Sequence, residues 1–187
     1  MYPISFKANY LTSVNVSRIN EDKSVDKEKV ALVELDKNNT DDINALHNVA
    51  RDWEKKSFTF AMEIYNDAVK GYEYEDVNKE HYYALTTQKN EFENLDQEKI
   101  LGLMMFSEYK NGKNRIDWLQ VEPTSSSRSK VTKKYKGIGS ALVDYSKQIS
   151  TNKIIDVSAY KDAIGFYEKQ GFSHIPCESD YCMYYEA

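Results

Sequence analysis

Two β-prone runs joined by Asn111-Gly112 constrain the fold of this chain more than any other feature of its sequence. Residues 99–110 (KILGLMMFSEYK) and 114–122 (NRIDWLQVE) are rich in the branched and aromatic residues that favour strands. Asn-Gly readily forms the tight turn of a β-hairpin, because both residues tolerate positive φ. The sequence therefore predicts an antiparallel pair of strands in the middle of the chain, and Pro123 marks the end of the second strand.

Strand and helix patterns alternate on both sides of this hairpin. Before it, the apolar periodicity predicts, in order, a strand or hairpin within 3–19, a polar surface connection over 20–29, a strand over 30–36, a helix from Thr40, a helix from Ser57 and a strand over 81–88. After it, the pattern predicts a helix that opens at Gly137-Ile138-Gly139, a strand over 153–159, a helix over 161–170 and a closing strand over 180–186. This order predicts a mixed α/β fold, with a central sheet flanked by helices.

The composition indicates a folded chain of one domain. A length of 187 residues suits a single domain, and 41% hydrophobic with 13% aromatic residues excludes a disordered or collagenous protein. The net charge of −5 argues against a nucleic-acid partner and gives a weak preference for cationic partners. No metal site is predicted, because the histidines are scattered and lack zinc-site spacing: His47, His81 and His174.

Cysteine usage and hydropathy predict a cytoplasmic protein. Cys177 and Cys182 do not form a C-x-x-C motif, and we interpret them as two reduced thiols. The longest nearly apolar run, Ile100 to Phe106, is too short to span a bilayer. The first ten residues lack a basic region followed by an apolar one, so no signal peptide and no membrane partner are predicted.

The segment from Lys134 to Ala141 (KYKGIGSA) carries the clearest chemical signal. Its two glycines allow backbone N–H groups to approach a ligand closely, and the helix that follows adds its positive N-terminal end. The pattern predicts a phosphate or pyrophosphate site; the alternative is a structural helix start beside a solvated basic loop. Five basic residues lie in or just before this segment with no acid among them: Arg128, Lys130, Lys133, Lys134 and Lys136.

Two common nucleotide-binding motifs do not fit this glycine loop. A P-loop NTPase needs G-x-x-x-x-G-K-[ST], which the sequence lacks. A Rossmann site needs G-x-G-x-x-G close after a strand. Here Leu142 stands at the third glycine position, and a long loop separates Pro123 from Gly137. A dinucleotide site is therefore disfavoured.

Three segments together resemble the GNAT superfamily of N-acetyltransferases. Residues 119–123 (LQVEP) resemble the family's L-x-V-x-P strand end, the glycine loop resembles its Q/R-x-x-G-x-G/A loop, and residues 163–172 (AIGFYEKQGF) are similar to its A-x-x-F/L-Y-E-K-x-G-F block. The resemblance covers about residues 30–187 and leaves 1–29 as an N-terminal extension. It implies a single acyltransferase-like domain over 1–187, with a mostly antiparallel, twisted sheet flanked by helices and an extra N-terminal strand or hairpin.

The resemblance implies acetyl-CoA (coenzyme A) as the co-substrate, with no metal. Backbone groups of Leu119, Gln120 and Val121 would hold the pantetheine arm and the thioester oxygen. Lys134, where the family usually has Gln or Arg, would add a point charge. Tyr160 stands where the family commonly has Asn, so it would contact the cofactor, narrow the site or contact the acceptor. Amides of the glycine loop would bind the pyrophosphate: Lys136, Gly137, Ile138, Gly139 and Ser140.

The resemblance also implies catalytic roles for three side chains. Tyr167 matches the tyrosine that protonates the departing thiolate, a transfer allowed by ordinary pKa values of ~10 for Tyr and ~8.5 for a thiol. A general base must free the amine. Asp117 and Glu122 are the candidates, with Asp117 first because it sits deeper in its strand. A regular strand would place Asp117 on the same face as Leu119 and Val121, whereas a bulge would break that alternation.

The resemblance implies an N-acetyltransferase that moves an acetyl group from acetyl-CoA to a primary amine in a ternary complex. The acceptor would be a small-molecule or peptide amine, and the protein a monomer or homodimer. A non-catalytic acyl-CoA-binding sensor or interaction module of the same fold is the alternative. Acetylation of aminoacyl-tRNA would need an extended basic surface, which the acidic balance argues against.

Overall fold

A computed structural model describes residues 8–56, 60–71, 76–125, 134–176 and 181–187. Within these ranges the chain forms the strands β1 Asn9–Ile19, β2 Val25–Leu35, β3 Val77–Thr86, β4 Ile100–Tyr109, β5 Asn114–Val121, β6 Tyr135–Lys136, β7 Ile154–Ser158, β8 Ser173–His174 and β9 Cys182–Glu186. It forms the helices α1 Thr40–Lys56, α2 Ala61–Lys70, α3 Ile138–Ile149 and α4 Ile164–Lys169. Short 3₁₀ turns lie at Gln97–Lys99, Pro123–Ser125 and Lys161–Ala163.

The strands form one sheet in the order β6-β1-β2-β3-β4-β5-β7-β9-β8. Neighbouring strands run antiparallel, apart from the parallel pair of β5 and β7. Helix α3 connects these two strands, as a parallel pair requires a crossover. The predicted mixed α/β class with a mostly antiparallel sheet is confirmed.

The sheet separates two apolar cores. Side chains alternate along β4, so that Leu103 and Met105 face α1 and α2, whereas Met104 and Phe106 face α3 and α4. Helices on both faces therefore bury the central strands, which explains their nearly continuous apolar sequence. The largest helical contributions to the two cores come from Leu46, Trp53 and Ile64 on one face and from Leu142, Val143 and Tyr167 on the other.

The N-terminal strands extend the sheet to the glycine loop. Strand β1 pairs with β2 from Asn9↔Glu34 to Ile19↔Val25, and its other edge pairs with β6. The N–H of Ile19 donates to the carbonyl of Lys134 at 2.8 Å. The prediction of a surface connection over 20–29 was wrong for residues 25–29, which belong to β2. Pairing with β1 outweighs their low strand propensity, while their charged side chains stay mostly exposed.

Local signals around the other predicted elements agree with the structure. The hairpin at Asn111-Gly112 is confirmed: Gly112 has φ +83° and the N–H of Tyr109 donates to the carbonyl of Lys113 at 2.9 Å. The helix expected over 161–170 forms as a 3₁₀ turn followed by α4, and Gly171 ends it with φ +85°. The cap predicted at Ser57 lies outside the described residues.

Two further features concern the cysteines and the membrane. Cys182 in β9 is disulfide-bonded, so the expectation that it is a reduced thiol was wrong; Cys177 lies outside the described residues. No helix in the described part of the chain has the length and apolar character needed to cross a bilayer.

Candidate functional site

A gap between β5 and β7 marks the centre of the candidate site. These strands pair from Asn114↔Ile155 to Ile116↔Val157, and the described residues beyond those positions form no further pairs. The gap starts at a bulge: Phe106 pairs with Ile116 and Met105 pairs with Trp118, which leaves Asp117 as the extra residue. A bulge bends and twists its strand, so the second half of β5 diverges from β7.

One edge of β5 presents backbone groups to this gap. The N–H of Glu122 donates to the carbonyl of Leu101 in β4 at 2.8 Å. Because backbone groups alternate in direction along a strand, Gln120 also directs its N–H towards β4, whereas Leu119 and Val121 direct theirs into the gap. Of the three residues predicted to hold the pantetheine arm, Leu119 and Val121 therefore direct a backbone donor into the gap.

The Gln120 side chain connects β5 to the start of α2. Its Nε2 donates to the carbonyl of Val121 at 2.7 Å, and its Oε1 accepts from the N–H of Phe60 at 3.4 Å. These contacts occupy the Val121 carbonyl and hold Phe60 against the diverging half of the strand. Gln120 therefore shapes the gap through its side chain, whereas the sequence predicted a contact through its backbone.

The glycine loop leads directly into α3. Gly137 has φ +85° and precedes the helix, and its carbonyl accepts the first helical bond, from the N–H of Ala141 at 2.9 Å. The N–H groups of Ile138, Gly139 and Ser140 therefore have no helical acceptor. They point out of the N-terminal end of α3, where the helix dipole favours an anion.

The two glycines of the loop serve different purposes. A Cβ on Gly137 would meet no atom within 4 Å, so its backbone angle alone requires glycine. A Cβ on Gly139 would lie 3.2 Å from Cζ of Phe166, so this glycine allows α3 to pack closely on α4. The side chain of Gln170 strengthens that junction by donating to Oγ of Ser140 at 3.0 Å.

Two of the predicted basic residues lie beside the loop in the described structure. Lys134 and Lys136 are exposed, and Lys136 belongs to β6, which pairs with Ser17 and Arg18 of β1. Lys134 lines a cleft of about 1050 Å³. The other three, Arg128, Lys130 and Lys133, lie outside the described residues.

Asp117 is buried beside Ser107 and Arg115, and no well-aligned hydrogen bond reaches its carboxylate. Its side chain is 2% exposed, and neither carboxylate oxygen accepts a hydrogen bond within the described structure. Nε of Arg115 lies 3.5 Å from Oδ1. Burial raises the pKa of Asp117 to about 6; Asp67 and Glu80 add to the rise, and Ser107 and Arg115 oppose it.

Glu122 has a different environment from Asp117. Its Oε2 accepts hydrogen bonds from Oγ1 of Thr124 and, at 3.1 Å, from the N–H of Ser125. These bonds hold the 3₁₀ turn Pro123–Ser125 that follows β5. The two predicted base candidates therefore differ: the carboxylate of Asp117 has no well-aligned hydrogen bond, whereas that of Glu122 holds a turn.

Tyr167 lies on the opposite face of the sheet from Asp67 and α2. Its ring packs edge-on against Phe166 and Phe172, with centroids 5.0 and 5.3 Å apart. Burial raises the pKa of Tyr167 above its ordinary value. The phenol is thus protonated throughout the physiological pH range.

Three aromatic rings meet near the gap on the α2 face. Phe60 stacks on Trp118 of β5 with centroids 5.2 Å apart, and it contacts Tyr160, just after β7, at 5.0 Å. Nε1 of Trp118 donates to Oδ2 of Asp67 in α2 at 2.8 Å. The sequence identified Tyr160 but missed the other three residues. The position of Trp118 next to the base candidate Asp117 could have pointed to it. Phe60 and Asp67 come from a distant segment of the chain, so no local pattern in the sequence could have placed them here.

The bulge also decides the facing of Asp117. In a regular strand it would share a face with Leu119 and Val121, which pack against the α3 and α4 core. In the structure its charged neighbours are Asp67 of α2 and Glu80 of β3, so it faces the side of α2 with Trp118. No group of three or more His, Cys, Asp or Glu side chains suited to a metal ion occurs in the described ranges.

The sequence matches no family model and no curated protein sequence. Solved structures do resemble the chain. An acyl-CoA N-acyltransferase from Pseudomonas aeruginosa superposes with a TM-score of 0.51 at 13% identity, over 84% of this chain and 99% of its own. A putative N-acetyltransferase from Lactobacillus plantarum gives 0.50 at 10% identity, over 83% and 94% of the two chains.

A third solved structure is a tandem GNAT protein from the clavulanic acid biosynthesis pathway. It gives a TM-score of 0.53 at 11% identity, over 78% of this chain and 44% of the tandem protein. At these low identities, the superpositions show that the chain shares its fold with these proteins.

Proposed function

We propose that this chain, which has the GNAT fold, is an acyl-CoA-dependent N-acetyltransferase that moves an acetyl group from acetyl-CoA to a primary amine through a ternary complex. The observation that carries the proposal is the gap between β5 and β7. It presents the N–H groups of Leu119 and Val121 and lies between the N-terminal end of α3 and a buried carboxylate, Asp117.

The residues around the gap suit the shape and charge of acetyl-CoA. The free amides of Ile138, Gly139 and Ser140 would bind its pyrophosphate, and the exposed Lys134 and Lys136 would add positive charge nearby. An extended pantetheine arm carries amide groups, which would pair with the open edge of β5. The space around Gly137 leaves the loop accessible to such a ligand.

The chemistry assigns one task to each functional group. Asp117, with its raised pKa, takes a proton from the incoming ammonium directly or through water. The amine nitrogen bonds to the carbonyl carbon while a backbone N–H of Leu119 or Val121 stabilises the charge on its oxygen. The carbon–sulfur bond breaks as Tyr167 supplies a proton to the sulfur, and the second proton of the attacking nitrogen then passes through water to the phenolate, which restores Tyr167. Glu122 has a minor part in this scheme, because its carboxylate holds a turn.

Thermal shift tests the cofactor. We expect acetyl-CoA and CoA to raise Tm, because a ligand that binds the folded state alone stabilises it, and we expect ATP and NAD not to. The variant Lys136→Glu should reduce the CoA-induced shift, whereas Lys79→Glu, which changes an exposed lysine on β3 far from the loop, should leave it unchanged. Equal shifts with all four ligands would mean a generic anion site and would contradict the proposal.

Thiol release tests catalysis separately from binding. The wild-type protein with acetyl-CoA and a panel of primary amines should release CoA in amounts equal to the acetylated amine formed. A chain that shows the CoA-specific thermal shift but no turnover with any amine would instead be the acyl-CoA-binding module. The unusual Tyr160, packed against Phe60 beside the gap, is the feature that favours this second reading.

A further inference from the structure

The two faces of the sheet give the gap two different surroundings. The glycine loop and α3 lie on the face that also carries Tyr167. The rings of Phe60 and Trp118 lie on the opposite face, where Trp118 packs with α1 and α2. If the co-substrate binds at the loop, as the proposed function requires, the amine must approach from the ring side. The inference below rests on that proposed function.

The rings connect the two strands that border the gap. Trp118 belongs to β5, Tyr160 follows β7, and Phe60 lies between them in contact with both. Gln120 and Asp67 fix this arrangement through their bonds to the Phe60 N–H and the Trp118 indole. Tyr160 is 50% exposed, so its ring remains open to a ligand.

Two carboxylates lie behind the rings. Asp67 is the partner of Trp118 and also a charged neighbour of Asp117, whose two oxygens accept no hydrogen bond from a described residue. A buried carboxylate without a hydrogen bond is costly, and a donor from a bound ammonium group would relieve that cost.

Other charges in this region are mostly balanced in pairs. Glu80 is neutralised by Lys37, with Nζ and Oε2 2.9 Å apart, and Arg115 lies 3.5 Å from Asp117. Glu63 and Lys70 act on Asp67 with opposite sign. Because Arg115 offsets Asp117, one negative charge is left for a ligand on this face, and it comes from Asp67.

We propose that Phe60, Trp118 and Tyr160 form the acceptor-binding surface, and that with Asp67 and Asp117 they select apolar primary amines that carry no carboxylate beside the amino group. The rings bind the apolar body by stacking and attract the ammonium group through their faces. A carboxylate next to the amine would be brought close to the net negative charge left by Asp67 in a poorly hydrated site, where repulsion is strong. Tyr160 thus belongs to the acceptor side and not to the cofactor side.

Matched amines test the substrate class. Phenethylamine and phenylalanine differ by one carboxylate, and kcat/KM should be at least about tenfold higher for phenethylamine, which corresponds to about 1.4 kcal/mol. Phenethylamine should also exceed ethanolamine, which has no apolar body, by a similar factor. Equal or better turnover of phenylalanine, or equal turnover of ethanolamine, would overturn the inference.

The variant Tyr160→Ala tests the ring assignment. It should raise KM for phenethylamine about threefold to tenfold, the range expected for loss of one aromatic contact, and change KM for acetyl-CoA less than twofold. Tyr10→Ala, which removes an exposed ring that stacks on Phe92, is the matched control and should change neither constant. A rise in KM for acetyl-CoA instead would place Tyr160 on the cofactor side and overturn the assignment.

Failure of this inference differs from failure of the proposed function. If CoA produces no specific thermal shift and no amine is acetylated, the transferase proposal fails and this inference fails with it. If CoA binds and amines turn over, but carboxylate-bearing or polar amines react equally well, only the acceptor inference is wrong.

Discussion

The two halves of strand β5 differ in what lies along their edges. Residues 114–116 are paired on both sides, with β4 and with β7. Residues 119–121 are paired with β4 alone, and their other edge faces the gap. The bulge at Asp117 separates the two halves. One strand thus has both a firmly paired half and a half with an open edge, because a single extra residue changes its direction.

The largest expected effect comes from the residue at the bulge. Asp117→Asn should lower kcat by about 10²–10⁴-fold, the usual contribution of a general base, and leave the CoA-induced thermal shift unchanged. Glu122→Gln is the matched change directly after the same strand. It should lower kcat less than threefold and cost roughly 1 kcal/mol of unfolding free energy, because it weakens the turn bonds. Similar losses of kcat in both variants would remove the distinction between the two carboxylates.

Shortening one side chain in each half of β5 should show how much each half contributes to the free energy of unfolding. Ile116→Ala removes a fully buried side chain from the doubly paired half and should cost about 2–5 kcal/mol in urea unfolding. Leu119→Ala removes the same number of atoms from the half-buried, open half and should cost about 1–2 kcal/mol. Equal costs would show that the open half is packed as firmly as the paired half.

The variant Tyr167→Phe tests the proposed proton donor, which lies on the other face of the sheet from Asp117. If the phenol protonates the departing sulfur, kcat should fall roughly 10- to 100-fold, with less than a threefold change in the affinity for CoA. The ring remains, so its packing on Phe166 and Phe172 is kept and stability should change little. An unchanged kcat would remove Tyr167 from the mechanism.

The pH dependence should report on Asp117. If the ionised form of Asp117 is the general base, kcat/KM should fall about tenfold per pH unit below its pKa of about 6, and Asp117→Asn should abolish this inflection. Stability changes in the opposite direction. Because the folded-state pKa is raised from 3.8 to about 6, ionisation of Asp117 lowers stability as pH rises through that interval. Asp117→Asn should therefore be more stable than wild type at pH 7–8, and no gain there would contradict the burial of the charge.

The smallest effect is expected in the glycine loop, where Gly137 precedes α3. Gly137→Ala forces a left-handed conformation on alanine and should cost roughly 1–2 kcal/mol. Gly165→Ala in α4 is the control, since a Cβ there also meets no atom within 4 Å, but its φ is not positive. It should stabilise the protein by up to about 1 kcal/mol. Similar losses for both would mean that the backbone angle of Gly137 is not what requires glycine.

The sequence by itself determined the features that depend on neighbouring residues. The turn at Asn111-Gly112, the helix that opens after Gly137 and the helix end at Gly171 follow from local backbone preferences. The ordered motifs in 119–123, 134–141 and 163–172 were enough to predict the GNAT fold, although no family model matches the chain. Most strands followed from their apolar runs.

The tertiary structure decided where distant segments meet. Residues 25–29 are a strand because β1 lies beside them, and Asp117 faces α2 because a bulge breaks the alternation of β5. Phe60, Trp118 and Tyr160 come from three separate segments, and only packing brings their rings together. Short-range propensity acts over a few residues and contains no term for such contacts. The facing of the Asp117 carboxylate and the meeting of the three rings could therefore be found only in the folded chain.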